Sequence, residues 1–110
     1  MEFDCLVILE SPYAGNIKKN LEYARKCMRD CFMRDEIPFA SHLLYTQEGI
    51  LDDTKEVERA LGIAAGFVWR KFADKTVVYT DLGITPGMEK GIKNAEEIGQ
   101  EIEWRSLYGK

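Results

Sequence analysis

Cys5-Leu6-Val7-Ile8-Leu9 is a continuous apolar run, and Ser11-Pro12-Tyr13-Ala14-Gly15-Asn16 breaks it at once. Five apolar residues with β-branching have the length of a strand buried on both faces, the kind found in parallel sheets. The Pro- and Gly-containing stretch that follows reads as a loop. Beyond it, Ile17, Leu21, Ala24, Met28 and Cys31 recur at spacings of three and four, with charged residues between them. That is an amphipathic helix, capped by Asn16 and ending near Asp35, ahead of Pro38.

The same alternation continues to the end of the chain. Pro38–Tyr45 is ambiguous, with room for a short strand at Ile37–Ala40 running into a loop. A second long helix is expected from Lys55 to Phe72, capped by Asp53 or Thr54 with Glu56. Its inward stripe is read as Val57, Leu61, Ala64, Ala65, Val68 and Phe72. Thr76–Tyr79 is a second β-branched run and reads as a strand. Asp81–Gly87 is a turn-rich loop. A third helix is expected over Met88–Gly99, with Gly99 as the residue just past its end. Glu101–Arg105 completes the pattern as a last strand. Strands alternating with helices specify an α/β fold with a small parallel sheet, of flavodoxin or Rossmann type, flanked by helices. Cys5–Leu9 and Thr76–Thr80 are expected to be neighbouring central strands.

The 110 residues are the size of one domain, and no linker or repeat divides residues 1–110. Hydrophobic residues make up 45% and charged residues 31%, which argues against disorder. A net charge of −4 argues against general nucleic-acid binding, which needs clustered cations on phosphates. A small phosphorylated ligand stays open, since one helix start and one arginine can hold a phosphate. Cys5, Cys27 and Cys31 lack the spacing of a zinc site or disulfide framework, so they read as free thiols and no metal or cofactor is implied. Free thiols, no apolar run near the ~20 residues of a membrane span, and a Met-Glu-Phe-Asp start without basic residues give a cytoplasmic expectation.

In an open parallel sheet the ligand lies beyond the carboxyl ends of the strands. That places Ser11–Asn16 and Asp81–Met88 at the candidate site, both leading into helices whose first N–H groups favour an anion. On spacing alone, Gly15 and Gly87 serve equally well as turn formers. His42, the single histidine, has no partner at metal or triad spacing and reads as a hydrogen-bonding wall residue. Tyr45 and Gln47 fit either a pocket edge or packing. Asp52 and Asp53 fit either an acid/base pair or a helix cap. Arg59, Arg70 and Lys71 read as solvent-exposed charges. Asp81, at a strand end, is an even choice between ligand contact and structure.

Ser11-Pro12-Tyr13-Ala14-Gly15, then Asn20-x-x-Tyr23-Ala24, resembles the opening of a family common in bacteriophage genomes. So do Pro38-Phe39-Ala40-Ser41-His42-Leu43-Leu44-Tyr45, Leu51-Asp52-Asp53 and Gly83-Ile84-Thr85-Pro86-Gly87-Met88, in the family's order and over nearly the whole chain. That family is similar to nucleoside 2-deoxyribosyltransferases and deoxynucleoside-monophosphate N-glycosidases. The resemblance implies a nucleotide-derived ligand, with Ser11, Pro12, Tyr13, Ala14, Gly15 and Asn16 on one side. His42, Tyr45, Asp81, Gly83, Thr85, Gly87, Met88 and Gly91 complete the expected site.

In those enzymes the nucleophile is a glutamate one turn into the last helix, in a pattern Gly-Met-x-x-Glu-Ile. Here the run is Gly87-Met88-Glu89-Lys90-Gly91-Ile92, so Gly91 stands at that position. Glu89 lies two residues earlier, about 200° around the helix. Three readings follow, in order of preference. The first is a non-catalytic binder, in a phage a sequestering protein for an ADP-ribose-type immune signal. The second is an active glycosidase or transferase using Glu89 or an aspartate. The third is an interaction module. Family resemblance, with Phe67, Trp69 and Phe72 on one helix, further implies a homo-oligomer joined through that helix.

Overall fold

The computed structural model describes residues 2–3 and 5–109. Met1, Asp4 and Lys110, which the one-domain expectation includes, lie outside the described residues. The chain runs β1 (Cys5–Glu10), α1 (Ile17–Met33), β2 (Glu36–Phe39), α2 (Ser41–Leu44), α3 (Glu56–Arg70), β3 (Lys75–Tyr79), α4 (Pro86–Glu97) and β4 (Glu101–Arg105). The four strands form one all-parallel sheet in the order β2-β1-β3-β4. β1 and β3 are the central neighbours, with Ile8 opposite Thr76 and Leu9 opposite Val77, as the two apolar runs require.

Alternation along the strands splits the core in two. Val7, Leu9, Val77 and Tyr79 pack with Tyr23, Cys27 and Cys31 of α1 on one face. Val78 packs with Met88 and Ile92 of α4 on the other. α3 lies on this second face, where Arg70 reaches Glu10 and Thr76. Burial raises the Cys27 and Cys31 thiols to about 12 and about 11, so both stay protonated and act as packing groups.

On the α1 face a charged network closes the sheet. Arg105 makes a two-pronged bond to Glu36 (2.8 and 2.6 Å) and reaches Glu103 and Tyr79. Tyr79 in turn donates to Asp30 at 2.7 Å.

Several local expectations shift. Asn16 does cap α1, accepting from Lys19 N–H at 3.2 Å. The short strand expected at Ile37–Ala40 is β2, and the short helix α2 follows it where a loop was expected. α4 begins at Pro86, two residues before the expected start, because Thr85 Oγ1 caps Met88 N–H and proline suits the first helical position. Gly99 ends it as expected: with φ +70° it sits past the C-cap, while Gly99 and Gln100 N–H bond the Glu96 and Ala95 carbonyls. The expected cap of α3 is overturned. Its N-cap is Lys55, with no side-chain cap, because Asp52 Oδ1 instead accepts from Thr54 N–H and Oγ1–H within the preceding turn.

The larger correction concerns which side of α3 faces inward. The expected inward residues Val57, Leu61, Val68 and Phe72 are 75%, 56%, 52% and 74% exposed. The buried residues are Gly66 and Arg70. Glycines at 62 and 66 let the helix backbone close on Leu51 and Ser41, where an added Cβ would already meet them at 3.4 and 3.3 Å. Close backbone approach and a satisfied ion pair override the apolar period here. Arg70, read as a surface charge, is therefore a core residue, whereas Lys71 is exposed as expected.

Candidate functional site

The C-terminal end of β1 opens on a cavity of about 390 Å³. That is within the range of small-molecule sites. Four segments build its wall: the β1–α1 loop, α2 with the turn after it, one face of α3, and the first turns of α4. It lies at a strand-order reversal, since β1 is flanked by β2 on one side and β3 on the other. This is where open α/β sheets place ligands.

Of the residues expected at the site, Ser11, Tyr13 and Ala14 line the cavity from the first loop. His42 and Tyr45 line it from α2 and its end, and Thr85, Gly87, Met88 and Gly91 from α4. Pro12, Gly15, Asn16, Asp81 and Gly83 do not line it. Asn16 is occupied as the α1 cap. Asn20 fixes the loop instead, donating to the Tyr13 and Ala14 carbonyls at 2.9 and 3.0 Å.

Asp81 serves the fold. Burial raises its carboxyl, but bonds from Ser106, Tyr23 (2.6 Å) and Leu107 N–H outweigh that and hold it at about 2. The carboxylate ties α1 to the segment after β4. Of the Asp52–Asp53 pair, Asp53 lines the cavity while Asp52 serves the turn before α3. Glu89 is exposed and does not line the cavity.

Ser11 Oγ and His42 Nε2 share a hydrogen bond of 2.7 Å. Burial pulls the His42 imidazole down to about 4, so it is neutral at physiological pH. Tyr45 is held by packing: it accepts from Trp69 Nε1–H at 2.9 Å and meets Phe39 edge-on. Trp69 stacks on Phe39 at 4.6 Å while remaining 43% exposed, so one face braces Tyr45 and Phe39 and the other meets solvent.

Glu10, Arg70 and Arg59, all at the cavity wall, escape sequence reading. Glu10, directly after the apolar run, lines the cavity with its side chain 13% exposed. Its Oε2 accepts from Arg70 Nη2 at 2.6 Å. Burial raises its carboxyl above the ordinary range, and the Arg70 charge and hydrogen bond offset this only in part. Arg70 is itself anchored, donating from Nε to Asn94 Oδ1 (2.9 Å) and from Nη1 to Thr76 Oγ1 (2.5 Å). Gln100 extends the network by accepting from Thr76 and donating to the Arg70 and Ala73 carbonyls. Arg59, expected in solvent, is half-buried at the cavity wall and forms no ion pair among the described residues. The available signal was the stripe Arg59, Gly62, Gly66, Arg70, which is helical but too polar to be taken for an inward face.

Gly91 explains how the pair fits. A Cβ at that position would overlap the Glu10 carboxylate and stand 2.8 Å from Arg70 Nη2. The space a side chain would take on α4 is filled by the Glu10–Arg70 pair.

This α/β fold is shared with a solved 2-deoxyribosyltransferase from the psychrotolerant bacterium Bacillus psychrosaccharolyticus, with TM-score 0.65 and 18% identity over 96% of this chain and 74% of that one. At that identity the likeness establishes the fold. The chain belongs to the DUF7768 family, a domain of unknown function whose model matches residues 5–105. No curated protein matches. Among the described residues, no helix is long and apolar enough to cross a membrane, and no cluster of His, Cys, Asp and Glu could hold a metal ion.

Proposed function

We propose that this chain binds a nucleoside- or nucleotide-derived small molecule in the β1-end cavity and holds it without cleaving it. One observation carries the reading. At position 91, where helix α4 meets the cavity, there is no side chain, and the Glu10 carboxylate that fills the space is tied to Arg70. Covalent capture of an anomeric carbon needs a carboxylate free to reach it. Tyr13 offers a flat apolar surface for a base, and the unpaired Arg59 offers a charge for a phosphate. On this reading the protein acts as a sink, and an ADP-ribose-type signal of host defence against phage is the use that the family resemblance suggests.

The test is to heat the purified protein, identify the released small molecules by mass spectrometry, and incubate the protein with nucleosides, nucleotides and ADP-ribose. An intact bound nucleotide and no free base by chromatography are expected. Tyr13→Ala should weaken binding about tenfold, the scale of a lost base–aromatic stack. Free base that disappears in Glu89→Ala would replace this reading with that of an enzyme.

We also propose that the chain pairs with a second copy through α3. Val57, Leu61, Val68 and Phe72 form an exposed apolar stripe opposite the cavity face of the helix. An antiparallel pairing about a two-fold axis sets Val57 against the partner's Phe72 and Leu61 against the partner's Val68. The small Ala64 and Ala65 then fall at the crossing. The exposed Glu56 comes beside the partner's Lys71, so the ends are complementary in charge. Of the aromatic set expected from sequence, Phe72 belongs to this stripe, whereas Trp69 is engaged by Phe39 and Tyr45 and Phe67 faces the cavity. Light scattering should give twice 12.6 kDa for the wild type and 12.6 kDa for Leu61→Glu at the same micromolar concentration. A wild-type monomer would sink the pairing.

A further inference from the structure

We propose that Glu10 Oε1 is the sugar-reading group of the cavity: it accepts a hydrogen bond from a ring hydroxyl of the ligand, so that the site favours ribosyl over dideoxyribosyl compounds. This rests on the binding reading above and deepens it.

Glu10 has two carboxylate oxygens and one partner. Oε2 is committed to Arg70, and Oε1 has no hydrogen bond. Among the described residues no fully buried side-chain oxygen or nitrogen lacks a partner, so Oε1 is open to the cavity that Glu10 lines. An ionised carboxylate oxygen only accepts, so the ligand atom that meets it must be a donor. The Arg70 charge balances that of Glu10, which leaves no surplus negative charge to favour a cation. A phosphate at this point would face a carboxylate without a donor. A neutral hydroxyl meets both conditions.

The carboxylate is also fixed in place. Arg70 is 2% exposed and held by Asn94 and Thr76, so it cannot swing away. Helix α4 passes so close at Gly91 that an added Cβ would fall on Glu10 Oε2 and Cδ. A rigid acceptor at a strand end is the device by which parallel-sheet sites take ribose hydroxyls. Around it the cavity supplies what the rest of such a ligand needs: the Tyr13 ring for a base, and the Arg59 guanidinium for a phosphate.

The experiment is calorimetric titration of the full chain with AMP, GMP, CMP, UMP and ADP-ribose. The monophosphate that binds best is then compared with its 2′-deoxy, 3′-deoxy and 2′,3′-dideoxy forms. The dideoxy compound is expected to bind the wild type at least about tenfold more weakly, the scale of one hydrogen bond to a charged group. In Glu10→Gln the amide oxygen stays on Arg70, which offers only donors, and the NH2 group replaces the acceptor. The ratio between the ribo and dideoxy compounds should then fall to within about threefold, chiefly because the ribo compound binds less well. Circular dichroism of the variant confirms that it is folded, and the wild-type series needs no variant at all. Equal wild-type affinity for the ribo and dideoxy compounds overturns the assignment and leaves the binding reading intact. So does discrimination that survives Glu10→Gln. Binding of none of the compounds overturns both.

Discussion

Arg70→Met is expected to cost about 3–5 kcal/mol in urea unfolding, a large share of the roughly 5–15 kcal/mol that holds a domain of this size together. The side chain removed is 3% exposed and bonds Glu10, Asn94 and Thr76. Methionine keeps the aliphatic stem but stops short of the guanidinium, so the loss combines the broken ion pair with a small void. Thr76 keeps Gln100 as a partner, but Glu10 is left as an unpaired buried charge, and that penalty dominates. The second half of the cycle separates this from simple loss of packing. Glu10→Met combined with Arg70→Met removes both charges, and a buried pair replaced by apolar groups of similar volume is often close to neutral. The double variant should therefore recover most of the stability lost in the single one. A single variant within about 1 kcal/mol of wild type would show that Glu10 finds water or another partner, and that the pair does not stiffen the cavity wall.

How much of this was readable in the chain depended on the kind of force involved. The parallel sheet was, because Cys5–Leu9 and Thr76–Tyr79 are short, continuous and apolar, and only a strand buried on both faces needs that composition. The loop after β1 and the α4 start were also placed at the cavity, since strand-end loops in such sheets have nowhere else to be. Helix α3 was found but its inward face was misassigned. Its most apolar stripe, Val57 to Phe72, is exposed, while its buried face is made of glycines and a paired arginine. Hydrophobic periodicity cannot distinguish a face that packs on the core from one that stays exposed.

The site divides along the same line. Ser11, His42 and Gly91 belong to local motifs, so their positions could be inferred. Glu10 and Arg70 are sixty residues apart, and each looks ordinary until the sheet and α3 bring them within 2.6 Å. Asp81 failed in the opposite way. It sits at a strand end as a ligand contact should, but Tyr23 and the chain after β4 use its carboxylate. The partners that decide both cases lie far along the sequence, where spacing carries no information.

Gly91→Glu is expected to be the most damaging single change for ligand binding, and to cost about 2–4 kcal/mol of stability. In a helix, replacing glycine ordinarily gains up to about 1 kcal/mol, so the sign itself is diagnostic. Here the new Cβ would fall on the Glu10 carboxylate, a rigidly held group that cannot rotate away while bound to Arg70. Either α4 lifts from the sheet, at an overpacking cost of about 1–3 kcal/mol, or the ion pair breaks at about 3–5 kcal/mol. A second carboxylate beside Glu10 adds like-charge repulsion, and both routes close the cavity. Gly91→Ala should show the steric part alone, as a loss of about 1–3 kcal/mol where open helix would show a gain.

The compensating exchange tests the geometry. Gly91→Glu with Glu10→Ala removes the obstruction and offers Arg70 a carboxylate from the helix instead of the strand, so urea unfolding should return most of the lost stability. The same double variant rebuilds the Gly-Met-x-x-Glu pattern at the cavity. Free base formed by it and not by the wild type would assign the difference between holding a nucleotide and cleaving one to position 91. Its absence would place that difference in the rest of the wall, with Asp53 and the Ser11–His42 pair the next residues to exchange.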